Sequence, residues 1–515
     1  MIEEPPNDPS PMRWRWHCLM LSSAVIFYAC IRTHEWALSV PISLFSLMLL
    51  TLSFYHVPLK LWILLILAFV PFEVSNPLWI LPSLSPIDYF CAVALLTLII
   101  RLKPRLFLAR LQKSFCRPGC ILLWVVFLSY GLMDAYWTRG DVRNVLRWGE
   151  FVFCYFLGMQ AVEEGEMGLE TATVQLLAFF GSIVSVIALL QFKRSCGDYT
   201  LAFATFGQHN GLGGFLSLCF PGCVCLVLSS KGGRRYIWII PAVIVFCTFV
   251  LSHSRGAWLG IVVGAVWIST LYLFNRHKMQ QWVSHYSTFL FITFFLLISI
   301  VFPLIWASSS ARIASSYPEI ASMRRSIQLQ TGTKHSCRSY ARSVIDSVIL
   351  SIWPLTPGRP RNLDSPIGKL LDLSQRPLYW QAALSIIRCH PFIGLGPGNY
   401  PKELPRYLSG RGLELYQLDV RDYKQLNFWQ HLHNSYLQVL VTYGSIGFVL
   451  WSVALLAMLQ SAFIPLSTTR NTLVKGIQIS VVAFLVHNTV DIMFVNSFDL
   501  IVAFMAAFLS HYPRA

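Results

Sequence analysis

Apolar runs long enough to cross a bilayer recur along almost the whole chain, and no soluble fold accommodates so many. A spanning helix needs about 20 mainly apolar residues, and roughly 14 stretches approach that length. They lie near 17–31, 36–54, 59–76, 86–100, 119–136, 148–162, 170–192, 210–229, 236–252, 256–274, 287–306, 434–463, 476–492 and 497–511. Lipid offers no hydrogen bonds, so a crossing segment must satisfy its own backbone, and a helix does so within one segment. The expected fold is an all-α polytopic membrane protein with about 12–14 transmembrane helices. Composition agrees. Of 515 residues, 55% are apolar and 12% are charged, against about 25% charged in soluble domains. That balance excludes a disordered chain, a disulfide scaffold and a cytosolic enzyme. The first run lacks an A-x-A-like cleavage site and leads straight into the second, so it reads as a signal anchor.

Orientation follows from the loops. With the N-terminus in the cytoplasm, Arg101, Lys103, Arg105, Arg110, Lys113 and Arg117 share one side with Lys231, Arg234, Arg235, Arg276, Lys278, Arg470 and Lys475. Cytoplasmic loops are the basic ones. The acidic loop with Glu163, Glu164, Glu166 and Glu170 dissents, but carboxylates count little in this rule. The net charge of +16 therefore reads as membrane topology and anionic lipid rather than nucleic-acid binding. The chain divides into an N-terminal bundle at 1–306, a large extracytoplasmic loop at 307–432 and C-terminal helices at 433–515. Within the loop, residues 376–390 form an amphipathic pattern with Trp380, Ala383, Ile386 and Ile387 on one side, ended by Pro391. The 13 cysteines include no CxxC or Cys/His metal spacing.

Several polar patches stand out on the extracytoplasmic side. Ser252-His253-Ser254-Arg255 precedes an apolar run. Arg255 offers a rigid five-donor fork for phosphate oxygens at a helix start, where free N–H groups favour an anion; the plainer alternative is an arginine that snorkels to the interface. His431-Leu432-His433-Asn434, followed by Tyr436, marks re-entry into the membrane. An imidazole there suits a general base, although a boundary histidine is commonly structural. Metal binding is disfavoured, because residues two apart on a helix do not share a face and no carboxylate lies near in sequence. Arg376 precedes Trp380, with a solvated surface arginine as the alternative. Asn210, in a glycine-rich helix start, belongs with close helix packing rather than a phosphate loop. Arg139, Arg143 and Arg147 read as a solvated helical face on an outer loop, or as a ridge facing lipid phosphates.

Together these pieces resemble the O-antigen ligase family, which also contains polysaccharide polymerases and protein O-oligosaccharyltransferases. The resemblance rests on SHSRGAWLG at 252–260, on RPLYW at 376–380 with PFIGLGPGNY at 391–400, and on His433-Asn434, nine residues, then Gly444-x-x-Gly447. It implies a GT-C-like membrane glycosyltransferase with its active site on the periplasmic side of the bacterial inner membrane. It further implies transfer of a glycan from undecaprenyl diphosphate to an acceptor hydroxyl, without metal, nucleotide sugar or other cofactor. Arg255 and Arg376 match the family's diphosphate-holding arginines, and His433 its catalytic histidine. Ser254, Asn434, Tyr436, Trp380 and Asn210 are the expected substrate contacts. Direct attack on the anomeric carbon would invert it. The first expectation is an O-antigen ligase acting on lipid A core. A polymerase and a protein O-oligosaccharyltransferase are alternatives, and a bicarbonate-type anion transporter is a more remote one. The stretch 308–370 is longer and more basic than the family pattern and separates Arg255 from Arg376.

Overall fold

The computed structural model describes residues 58–72, 87–88, 90–100, 121–165, 168–194, 202–206, 208–275, 376–408, 431–463, 472–494 and 497–512. Every regular element among them is helical. In chain order these are α1 (Leu59–Phe69), α2 (Phe90–Ile100), α3 (Ile121–Thr138), α4 (Val142–Glu163), α5 (Leu169–Arg194), α6 (His209–Ser229) and α7 (Arg234–Leu251). They continue with α8 (Arg255–Asn275), α9 (Arg376–Cys389), α10 (Tyr400–Leu408), α11 (Ser435–Leu459), α12 (Thr472–His487) and α13 (Phe498–His511). Among the described residues, five helices are long and apolar enough to cross a membrane: α3, α5, α6, α7, and α11 with its short 3-10 extension. The chain is an all-α polytopic membrane protein. The expected spans at 17–31, 36–54 and 287–306 lie outside the described residues, as do 307–375 and 409–430 of the large loop.

Helix ends follow local chemistry. Asn434 caps α11, its side chain accepting the Leu437 N–H at 2.9 Å. Asp141 caps α4 by accepting the Arg143 N–H at 3.0 Å. That cap starts α4 six residues before the expected run at 148, and it moves Arg143 and Arg147 from an outer loop onto the helix. The run expected to continue to 492 ends as a helix at His487, because Asn488, Thr489 and Asp491 turn away from it. The amphipathic helix expected at 376–390 is present, with Trp380, Ala383 and Ile386 buried.

At the centre, α12 packs against α8 and α6, α13 against α4, and α11 against α3. Glycines allow the close approaches. A side chain at Gly260 would strike the Ala483 carbonyl of α12, and one at Gly213 would strike Ser254. Gly213 and Gly214 of the 207–214 patch thus stand at close packing contacts.

Helix α11 is broken at Gly444, whose φ of 65° and ψ of −171° leave the helical region. The segment 391–396 repairs the break. Leu395 and Gly396 donate their N–H groups to the carbonyls of Val441 (3.0 Å) and Thr442 (2.8 Å). In return, Ser445 and Ile446 donate to the carbonyls of Pro391 (2.9 Å) and Phe392 (3.3 Å). Irregular backbone at membrane depth is tolerated where protein satisfies it. Gly394 and Gly444 meet at the crossing with positive φ, and a Cβ on Gly444 would collide with the Phe392 carbonyl. The residues that follow, 397–399, lock onto the α3–α4 turn through Asp141 N–H to the Pro397 carbonyl (2.6 Å) and Asn399 Nδ2 to the Thr138 carbonyl (3.0 Å).

Candidate active site

The site is organised by the turn after α12, residues 487–493. Asn488 receives Ser435 on two sides: the Ser435 hydroxyl donates to Asn488 Oδ1, and the Ser435 N–H donates to the Asn488 carbonyl at 2.9 Å. Asn434 Nδ2 donates to the Thr489 carbonyl at 2.8 Å. These bonds press the start of α11 against the turn. His433 Nδ1 then lies 3.1 Å from Asp491 Oδ1. The carboxylate is buried and is oriented by the Ile492 N–H, which donates to the same oxygen at 2.9 Å. The His433 side chain keeps 20% of its surface exposed against 1% for Asp491. A buried carboxylate stands behind a part-exposed imidazole; in the tautomer with the proton on Nδ1, Asp491 would accept it as a hydrogen bond and the lone pair would be on Nε2. His433 holds a φ of 51°, the left-handed region in which a non-glycine residue persists only where its surroundings impose it.

Trp380 and Tyr379 bring the Arg376 helix to the same place. The Trp380 indole donates to the Leu432 carbonyl at 2.9 Å, and Tyr379 stacks on the His433 ring at 5.9 Å between centroids. Arg376 opens this helix one turn earlier. On the other flank, Ser254 Oγ lies 3.3 Å from His487 Nε2, and both side chains are buried. Arg255, exposed, opens α8 immediately after Ser254. The turn 487–491 therefore carries Asp491 at one end and the anchor for Arg255 at the other. His253, between these elements, is held below its ordinary pKa, first by burial and then by its neighbours His209 and Arg255. Asn210 stands half-buried in the first turn of α6, beside His209.

The structure thus brings His433, Trp380, Asn434 and Tyr436 together directly, and it joins Ser254 and Arg255 to them through His487. Several of the expected substrate contacts have partners within the protein. Tyr436 is buried and donates its hydroxyl to the Leu485 carbonyl at 2.9 Å. Asn434 caps α11, Trp380 holds Leu432, and Ser254 engages His487. A 3.6-residue period assigns such side chains to a face, but it does not show which neighbour meets that face. Sequence reasoning missed Asp491, His487 and Asn488. The cluster His487-Asn488-Thr489-Val490-Asp491 at the end of an apolar run was their one available signal. It also treated 431–433 as helical, whereas α11 starts at Ser435. The left-handed turn at His433 brings the two imidazoles to 4.4 Å between centroids.

A cavity of about 490 Å³ adjoins this cluster, lined among others by Arg147, Trp148, Lys402, His431, Gln438 and Asp499. Arg139, Arg143 and Arg147 are all exposed, as the solvated-face reading has it; Arg143 Nε pairs with Asp141 at 3.2 Å, and Arg147 borders the cavity.

Residues 240–452 match the O-antigen ligase family. That stretch contains Arg255, Arg376 and His433, so the resemblance read from the motifs stands. It stops short of His487 and Asp491. A General O-oligosaccharyltransferase of Acinetobacter baylyi (strain ATCC 33305 / BD413 / ADP1) is 33% identical over 104 residues, covering 20% of this chain and 17% of that protein.

Proposed function

We propose that this O-antigen ligase family domain serves a membrane glycosyltransferase that moves a glycan from a polyprenyl diphosphate to an acceptor hydroxyl. The observation that carries the reading is the His433–Asp491 pair, a reachable imidazole backed by a buried, oriented carboxylate. His433 Nε2 takes the proton of the attacking hydroxyl. The oxygen forms the new bond to the anomeric carbon, and the bond to the diphosphate breaks with its electron pair retained by the phosphate. Attack opposite the leaving group inverts the anomeric centre. General-base assistance of this kind contributes about 10²–10⁴-fold.

The leaving diphosphate gains charge as its bond breaks. Arg255, at the N-terminal end of α8, supplies a guanidinium at a helix start, a setting that favours an anion. Arg376, at the start of α9, is the second guanidinium in this reading. Removing one such preorganised donor in a water-poor site costs about 10²–10³-fold in rate. No step in this scheme calls for a metal. The site would work on the periplasmic side of the inner membrane.

For the acceptor, lipid A core is our first reading, which would make the protein an O-antigen ligase. The second reading is a hydroxyl on a secreted protein; the name of the Acinetobacter relative, an O-oligosaccharyltransferase, is compatible with any hydroxyl acceptor. The deciding experiment is glycan transfer in membranes carrying wild type or His433→Ala, reading the mobility of lipid A core, lipid-linked glycan and secreted proteins side by side. Wild type should shift one acceptor class, and the variant, at equal expression, none. Equal transfer by His433→Ala overturns the mechanism.

A further inference from the structure

We propose that His431, His433 and Asp491 form a three-ligand site for a borderline transition-metal cation such as Zn²⁺, and that filling it silences the domain. The ligating atoms of the three side chains all lie within 4.8 Å of one another. Two imidazoles and a carboxylate are a set that zinc accepts, and three protein ligands leave its fourth position open. Around tetrahedral zinc, ligand atoms stand about 3.3 Å apart, so side-chain rotations of about 1 Å close the site.

The geometry arises from two separate segments. His431 and His433 come from the stretch before α11, where the left-handed backbone at His433 draws together rings that are two residues apart. Asp491 comes from the turn after α12. The ligands are also held from behind, as metal ligands generally are. Leu432, between the histidines, is pinned at both backbone groups. Its carbonyl accepts from Trp380, and its N–H donates to Gln438 Oε1 at 3.0 Å. The Ile492 N–H fixes the Asp491 carboxylate. An approach exists from the side of His431, which lines the neighbouring cavity. Mg²⁺ and Ca²⁺ prefer all-oxygen shells and are poor occupants.

Silencing follows because a coordinated imidazole has no lone pair for a proton. That clause rests on the general-base role of His433, whereas metal binding itself does not. Chelator-stripped full-length protein, purified on a histidine-free tag, is titrated with Zn²⁺ against a chromophoric chelator, and its glycan transfer is measured alongside. Wild type should take up one equivalent, uncontested by Mg²⁺. His431→Ala and Asp491→Asn should each weaken uptake by about tenfold or more. Zinc should stop wild-type transfer, EDTA should restore it, and His431→Ala should need about tenfold more zinc for half-inhibition of its own metal-free rate. No uptake by wild type, or unchanged uptake by His431→Ala, overturns the site. Should Asp491→Asn fail to fold, His431→Ala carries the test alone. If zinc binds as expected while His433→Ala transfers like wild type, the transferase mechanism falls and the metal site stands.

Discussion

Residues 252–255 and 431–434 build the same local object twice. Each is a short polar stretch that ends at the start of a helix, and each places a histidine in the left-handed region, His253 at φ 49° and His433 at φ 51°. In each, the residue after the histidine turns its side chain inward: Ser254 to His487, and Asn434 to Leu437 and Thr489. The two differ in what surrounds the imidazole. His253 is held below its ordinary pKa by burial first and then by its neighbours His209 and Arg255. His433 meets a buried carboxylate. One pole therefore suits an anion and the other suits a proton in transit, although their backbones match. Local conformation places a histidine, and its tertiary neighbours assign its chemistry.

The largest effect that would break this contrast lies at the carboxylate pole. Asp491→Asn removes the group that orients His433 and should lower transfer by about 10²-fold or more, approaching the loss of about 10²–10⁴-fold expected of His433→Ala. Transfer assays at matched expression check both, and an asparagine variant near wild-type rate would separate the pair from the chemistry. At the anion pole, Arg255→Ala should cost about 10²–10³-fold, and Arg255→Lys should recover part of it, because lysine keeps the charge but loses the planar fork. Equal rates for the lysine and alanine variants would show that charge at this position is irrelevant.

Away from both poles, Gly444→Ala should destabilise by about 2 kcal/mol or more, because it puts a side chain at positive φ against the Phe392 carbonyl. Thermal unfolding of the solubilised protein measures this, and an unshifted midpoint would refute the docking of 391–396 on the α11 break. The smallest effect concerns His253. A histidine whose folded pKa lies below its unfolded 6.5 binds fewer protons folded than unfolded in that range. The stability it allows is complete above the unfolded value and declines as pH falls through it. His253→Gln should match wild-type stability near neutral pH and retain more of it in mild acid, with little change in transfer. A large loss of transfer would move His253 into the chemistry and erase the contrast.

The apolar runs made the helices legible, because burial in lipid demands about 20 apolar residues wherever a helix crosses. His433, Arg255 and Arg376 were singled out through the family resemblance, since local pattern left each with a plainer structural alternative. They lie at or just before helix starts, within the residues that match the family. The roles of Tyr436, Asn434, Trp380 and Ser254 were not legible. Their partners lie 49, 55, 52 and 233 residues away along the chain. No local pattern distinguishes a tyrosine that touches substrate from one that donates to a carbonyl of the next helix.

By itself, then, the sequence determined a many-helix membrane protein and the positions of most described helices, which follow from composition and short-range spacing. It also carried the motifs of the family that residues 240–452 match. Only the tertiary structure decided that Asp491 stands behind His433, that His431 and His433 converge ahead of α11, and that 391–396 mends the break at Gly444. Those three facts rest on backbone turns at positive φ and on hydrogen bonds between distant segments. Such contacts exist only once α11, α12 and the loop have packed together.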